Sequence, residues 1–305
     1  MVSNKYLLDY IERRKQELNA VILAHFYQPP EIQDVADIVG DSLQLARQAA
    51  ETDAQVIVFC GVHFMAESAK ILSPDKTVLL PELQAGCPMA DMVTADKLRE
   101  MKQQYPDAAV VCYVNTSAEV KAECDISCTS SNAVNVVKSI PADQPIIFVP
   151  DRNLGAYIQG QTGRQMILWE GCCPIHDQLT RLEIEDLKKQ HPEALIVVHP
   201  EVPPEVADIA DAVRSTAGIL KYVQNSPAQE FIIGTEEGFL HTLQKNCPDK
   251  TFYLGRKEFI CPDMKLINLQ SLADSMEKMQ YQIEVPEPIR SKARIALDRM
   301  LAIAP

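Results

Sequence analysis

Several features are scarce in this chain of 305 residues, and each scarcity narrows what it can do. Glycine occurs only 11 times, which excludes a collagenous or low-complexity chain. No apolar run approaches the roughly 20 residues that a membrane span needs. Lys and Arg number 29 against 42 Asp and Glu, a net charge of −13, and no basic patch stands out to mark a binder of nucleic acid or anionic membrane. Neither a GxGxxG fingerprint nor a P-loop occurs, so dinucleotide and nucleoside triphosphate binding lose their usual support. The single tryptophan, Trp169, reads as packing. The first stretch, residues 1–18, is charged and amphipathic rather than a secretory h-region, so a reducing cytoplasm is the expected compartment.

Cysteine, by contrast, is plentiful. There are nine, at positions 60, 87, 112, 124, 128, 172, 173, 247 and 261, and an odd number cannot pair off completely. In a reducing compartment they serve as buried apolar residues, catalytic thiolates or metal ligands. No two are spaced as CxxC, so any cysteine metal site has to gather ligands from distant parts of the chain. The rest of the composition, 47% hydrophobic and 23% charged, is that of a globular protein.

An internal triplication organises the chain. Tyr105-Pro106-Asp107-Ala108 leads into Val110–Tyr113 as His191-Pro192-Glu193-Ala194 leads into Ile196–His199, an offset of 191 − 105 = 86. The apolar stretch Val21–His25 has the same character, and 113 − 25 = 88. Pro74-Asp75-Lys76-Thr77 reappears as Pro248-Asp249-Lys250-Thr251, with 248 − 74 = 174, or twice 87. Each unit reads as an apolar strand ending in a polar residue, then a hydroxyl-bearing turn (Asp41-Ser42, Thr129-Ser130-Ser131, Ser215-Thr216). Two further strands follow: 56–59 and 78–80, 146–149 and 166–168, 231–233 and 252–254. Strands apolar on both faces, alternating with helical segments such as 97–104 and 182–190, predict an α/β fold of parallel sheets covered by helices. Pro29-Pro30 before 31–39, with Gly40 behind, predicts a helix over 31–39.

Every unit ends in Cys-Pro: Cys87-Pro88, Cys173-Pro174 and Cys261-Pro262, at intervals of 173 − 87 = 86 and 261 − 173 = 88. Three similar αβα units around a pseudo-threefold axis place these cysteines at equivalent points, and ligands of parallel sheets gather at the carboxyl ends of strands. Those ends carry His25, Tyr113 and His199, so one active site at the centre is expected. The units are expected over 1–86, completed by a two-helix tail at 262–305, then 87–172 and 173–261. Three convergent thiolates suit either zinc completed by His176 or an iron–sulfur cluster with one iron left open for Lewis-acid chemistry. The other six cysteines read as structural, with Cys172 and the pair Cys124 and Cys128 ambiguous. His25 and Tyr27 read as a general acid–base pair or as hydrogen-bonded core residues, and His199 with Glu201 presents imidazole and carboxylate together. Ser130, Ser215 and Thr216 sit in turns suited to phosphate or carboxylate, or act as plain helix caps. Asp151-Arg152-Asn153 binds an anion or caps a helix. His63, His191 and His241 fall outside the repeated strand ends.

These motifs resemble the quinolinate synthase family. The resemblance runs from Ile22 to Cys261 through Leu23-Ala24-His25-Phe26-Tyr27-Gln28, Gly40-Asp41-Ser42, Cys87-Pro88-Met89, Tyr113-Val114-Asn115, Cys128-Thr129-Ser130-Ser131-Asn132, Cys173-Pro174-Ile175-His176, His199-Pro200-Glu201, Ser215-Thr216 and Gly234-Thr235-Glu236. It implies a [4Fe–4S] cluster on Cys87, Cys173 and Cys261 with its fourth iron facing the substrate. It also implies condensation of iminoaspartate with dihydroxyacetone phosphate to quinolinate, losing phosphate and two waters without net redox change. By the same resemblance His25 and Tyr27 transfer protons, and Ser42, Ser130, Ser215 and Thr216 bind carboxylate or phosphate oxygens. Tyr113 and Asn115 complete the pocket, and His176, His199 and Glu201 orient intermediates. An aspartate oxidase or dehydrogenase is the implied transient partner that supplies iminoaspartate. Some members carry a CxxCxxC near the third ligand; Cys261 stands alone here. A cluster-dependent hydro-lyase on another polar acid and a non-catalytic iron–sulfur sensor are the competing readings.

Overall fold

The computed structural model describes residues 4–305. The triplication is visible as one element order repeated. The first unit contains α1 (Asn4–Glu17), β1 (Ala20–His25), α2 (Pro30–Val35), β2 (Ile38–Gly40), α3 (Ser42–Glu51), β3 (Val56–Cys60), α4 (His63–Leu72) and β4 (Thr77–Leu79). The second contains α5 (Ala95–Gln104), β5 (Ala109–Tyr113), α6 (Ala118–Lys121), β6 (Ile126–Cys128), α7 (Ala133–Ser139), β7 (Ile146–Val149), α8 (Arg152–Thr162) and β8 (Ile167–Leu168). The third contains α9 (Arg181–Gln190), β9 (Leu195–Val198), α10 (Pro204–Ala207), β10 (Ala212–Val213), α11 (Thr216–Asn225), β11 (Glu230–Gly234), α12 (Phe239–Asn246) and β12 (Thr251–Leu254). Two more helices close the chain, α13 (Leu269–Lys278) against α1, and α14 (Glu287–Leu301) across α4, α6 and β6.

All three sheets are parallel and four-stranded, in the orders β2-β1-β3-β4, β6-β5-β7-β8 and β10-β9-β11-β12. Central strands such as β3, β5 and β7 are buried along their whole length, which is why they are apolar without alternation. Among the described residues no helix is long and apolar enough to cross a membrane.

Two expectations need correction. The helix expected over 31–39 stops at Val35, and 38–40 forms β2 instead. Each unit also has four strands rather than three, because β2, β6 and β10 are only two or three residues long and too short to show a period. Each short strand is pinned by an aspartate just before it. The carboxylates of Asp37, Asp125 and Asp211 accept from the backbone N–H of Ile22 (2.8 Å), Val110 (2.8 Å) and Ile196 (2.7 Å). Their spacing, 125 − 37 = 88 and 211 − 125 = 86, keeps the repeat. The side chain thus supplies an acceptor to a strand N–H before the neighbouring short strand begins to pair.

Removing one such acceptor leaves a strand N–H without its partner. Asp211→Ala is expected to lower stability by about 1 kcal/mol, and Asp211→Asn, which keeps an acceptor oxygen, by less. Denaturant unfolding checks this, and an unchanged midpoint for the alanine variant contradicts the pinning role.

Candidate active site

Because every sheet has its first and third strands at the centre, the chain departs in opposite directions from their carboxyl ends, and a crevice opens there. The three crevices face one another and form a single cavity of about 230 Å³. His25 ends β1 and Tyr113 ends β5, while His199 follows β9; all three line the cavity. The Cys-Pro steps reach it as well, each leading into a short 3-10 turn, Ala90–Met92, His176–Gln178 and Asp263–Lys265. Cys87, Cys173 and Cys261 therefore share the cavity wall with the polar strand ends.

The thiols are unpaired, and all three cysteines are partly buried. Burial pushes Cys87 up to about 12 and Cys261 up to about 11, and Cys173 well above the usual thiol value. A buried carboxylate stands behind two of them. Asp151 caps α8 through the Leu154 N–H (2.8 Å) and accepts from the Cys173 N–H (3.0 Å). Glu236 accepts from the Cys261 N–H (3.0 Å) and the Gly238 N–H (2.7 Å), and pairs with Lys265 Nζ (2.7 Å). In the first unit an apolar residue, Val62, follows the third strand, and the loop is fixed instead by Gly86 N–H donating to Asp263 (3.1 Å).

Glu201 occupies the middle of the polar web. Its carboxylate accepts from Tyr113 OH (2.6 Å), touches His176 Nδ1 (2.8 Å) and lies 3.7 Å from His199 Nδ1. Burial works against its charge, yet the two imidazoles and the hydrogen bonds outweigh it and hold the carboxyl down at about 2. Burial pushes His25 down to about 3 and His199 to about 4, so both rings are neutral at pH 7. Each accepts at Nδ1 from the backbone two residues on, Tyr27 N–H (3.2 Å) and Glu201 N–H (3.4 Å). That fixes the tautomer with the proton on Nε2; in His199 this nitrogen meets Ser130 Oγ at 3.0 Å. A second chain runs from Tyr27 OH to Thr235 Oγ1 (2.6 Å), on to His176 Nε2 (2.9 Å), and through that ring to Glu201. Burial raises both tyrosines well above their usual value, so their hydroxyls keep their protons.

Ser42, Ser130 and Thr216 line the cavity, and so does Asn115, whose buried Oδ1 has no partner. Ser215 lies just outside it: its Oγ accepts from Gly218 N–H (3.2 Å) as the cap of α11 and meets Ser131 Oγ (2.8 Å). Asp151-Arg152-Asn153 caps α8, with Arg152 paired to Asp177 at 3.0 Å. His63, His191 and His241 lie outside the cavity, as do the other six cysteines. Sequence reasoning missed Thr235, Glu236 and Lys265 as parts of the site. The recurrence of a carboxylate after the third strand, 236 − 151 = 85, was the available signal, but it changes residue type between units.

Two metal arrangements fit these donors. Three unpaired, partly buried thiols form a sulfur-rich set for a soft metal. Cys173, His176 and Glu201 also have donor atoms all within 4.8 Å of one another, a mixed set of the kind zinc accepts.

Glu236 is fully buried and its charge depends on Lys265. Lys265→Met is expected to destabilise the fold by about 3 kcal/mol, and Lys265→Met with Glu236→Gln by clearly less. Thermal or denaturant unfolding of both variants checks the pairing, and equal losses speak against it.

A protein-family model described as "Quinolinate synthetase A protein" matches residues 9–302. Quinolinate synthase of Desulforudis audaxviator is 54% identical over 302 residues, covering 99% of this chain and 99% of the relative. The enzyme of that name from Methanosarcina barkeri is 54% identical over 297 residues, 97% of each chain. That of Geotalea uraniireducens is 55% identical over 287 residues, 94% of each. With matches that run nearly end to end, through the three cysteines and the polar web between them, this chain belongs to the quinolinate synthetase A family.

Proposed function

We propose that the protein is a quinolinate synthase that condenses iminoaspartate with dihydroxyacetone phosphate, releasing phosphate and two waters. Convergence of three unit-ending cysteines on one polar cavity, in a chain of this family, is the observation that carries the reading. Cys87, Cys173 and Cys261 would hold a [4Fe–4S] cluster, which when bound supplies an open iron as Lewis acid toward a hydroxyl or carbonyl. No net electron transfer is called for.

Closing a ring with two dehydrations needs groups that hold and move protons. Tyr113 donates to Glu201 at 2.6 Å, so an ionised acceptor and a protonated donor already share a short bond. Glu201 would take a proton from a substrate carbon, and Tyr113 would deliver one to a departing hydroxyl. Glu201 would then pass the gained proton to Tyr113, which resets the pair, and the chain Tyr27–Thr235–His176 gives the same carboxylate a second outlet. His25 and His199 would offer Nε2–H to substrate oxygens, and Asn115 Oδ1 would accept from a substrate hydroxyl or amine. Ser42 and Thr216 begin α3 and α11, helices of 10 residues each, whose free N–H groups suit carboxylate or phosphate oxygens. Ser130, and Ser215 from the adjoining groove, would add hydroxyl donors.

We further infer a cytoplasmic enzyme fed with iminoaspartate by an aspartate oxidase or dehydrogenase, whose unstable product favours direct transfer. The mixed donor set Cys173, His176 and Glu201 supports a second reading, a mononuclear zinc site.

Anaerobic purification separates the two: about four irons per chain and brown colour are expected, whereas colourless protein with one zinc overturns the cluster. Cys173→Ser is expected to abolish the iron content and Cys172→Ser to preserve it. Quinolinate formation from the two substrates tests the reaction, and an intact cluster without product returns the hydro-lyase or sensor reading. Tyr113→Phe is expected to lower kcat about 100-fold with iron content unchanged, the range of a lost proton-transfer group.

A further inference from the structure

A second hollow adjoins the site on the side of the three hydroxyl turns, and Asp41 and Ser130 belong to the walls of both. Its threshold is a junction of one residue from each unit. Ser131 Oγ donates to Asp41 Oδ2 (2.7 Å) and meets Ser215 Oγ (2.8 Å). Three cations surround this hollow: Arg47 on α3, Arg214 just before α11 and Lys221 on α11. None of the three forms an ion pair with a carboxylate among the described residues; Arg47 and Arg214 donate only to backbone carbonyls, those of Leu301 (3.5 Å) and Val213 (2.8 Å). The one acidic side chain in the wall, Asp41, is occupied by the Gln44 N–H (2.9 Å) and by Ser131. Pro305 with its carboxylate also lines the hollow, so three cations face two anionic groups and leave an excess of positive charge on a chain whose net charge is −13.

Unpaired cations around a concave entrance concentrate anions and raise their capture rate, and guanidinium groups suit phosphate oxygens in particular. We propose that this hollow is a capture site for a phosphate monoester, holding the phosphorylated substrate before it passes the Ser131 junction into the central cavity. The proposal rests on the reaction assigned above. Phosphate oxygens can accept from the Ser131 and Ser215 hydroxyls, so arrival of the substrate replaces the bonds that close the threshold.

Two measurements on Arg47→Gln/Arg214→Gln/Lys221→Gln test it, with Arg214→Gln/Lys221→Gln as a milder variant on exposed positions should the triple one fold poorly. In the iron-loaded enzyme, kcat/KM for dihydroxyacetone phosphate at low ionic strength is expected to fall about tenfold with kcat unchanged, and the difference from wild type to shrink as salt screens it. Inorganic phosphate, titrated onto the protein by calorimetry, is expected to bind the variant several-fold more weakly; this readout needs no turnover. Weaker phosphate binding in a protein that makes no quinolinate keeps the capture site and removes the assigned reaction. Quinolinate formation with phosphate affinity and salt dependence both unchanged in the variants overturns the capture site.

Discussion

An ionised carboxylate that water scarcely reaches must be surrounded by donors, and the arrangement around Glu201 follows from that constraint. Its donors come from two units: Tyr113 at the end of β5 in the second, His176 beyond the second Cys-Pro in the third. Shifting one unit against the other would strand the charge, at a cost of several kcal/mol. The same requirement fixes proton positions outward from the centre. Beside an ionised carboxylate the His176 Nδ1 has to carry a proton, while its Nε2 meets Thr235 Oγ1, which meets the Tyr27 hydroxyl. The order of this polar web is thus set by one buried charge.

Behind the cysteines the same economy of donors and acceptors appears in the backbone. Asp151 and Glu236 take the N–H groups of Cys173 and Cys261, so these thiols are aimed by peptide bonds that cannot rotate freely. Cys87 lacks this support and depends on the link from Gly86 to Asp263, a residue two positions beyond Cys261. The first thiol is consequently tied to the loop of the third.

Much of this was legible in the sequence, and the limits have physical causes. The period near 87 showed because long central strands must be apolar on both faces, and the Cys-Pro steps kept their phase. The strand-end residues His25, Tyr113 and His199 followed from where parallel sheets bind ligands. The edge strands β2, β6 and β10 did not show, since two or three residues carry no periodicity. The partners of the polar web stayed hidden for another reason. Tyr27 and Thr235 are 208 positions apart, and Ser131 meets Asp41 and Ser215, 90 and 84 positions away. A carboxylate that serves its own backbone, as Asp37, Asp125 and Asp211 do, leaves a mark only when the repeat is already known.

The junction of Asp41, Ser131 and Ser215 has a consequence for symmetry. Three separate copies of one such unit, arranged as a closed ring, would be obliged to place the same residue at all three corners of the axis. Three identical aspartates there would repel one another, and three identical serines would leave a hydroxyl ring with no fixed direction. Joining the copies in a single polypeptide lifts that obligation. One corner supplies an acceptor, the next a donor and the third a hydroxyl that does both, so the ring acquires polarity. The centre can then bind a molecule that has no threefold symmetry of its own.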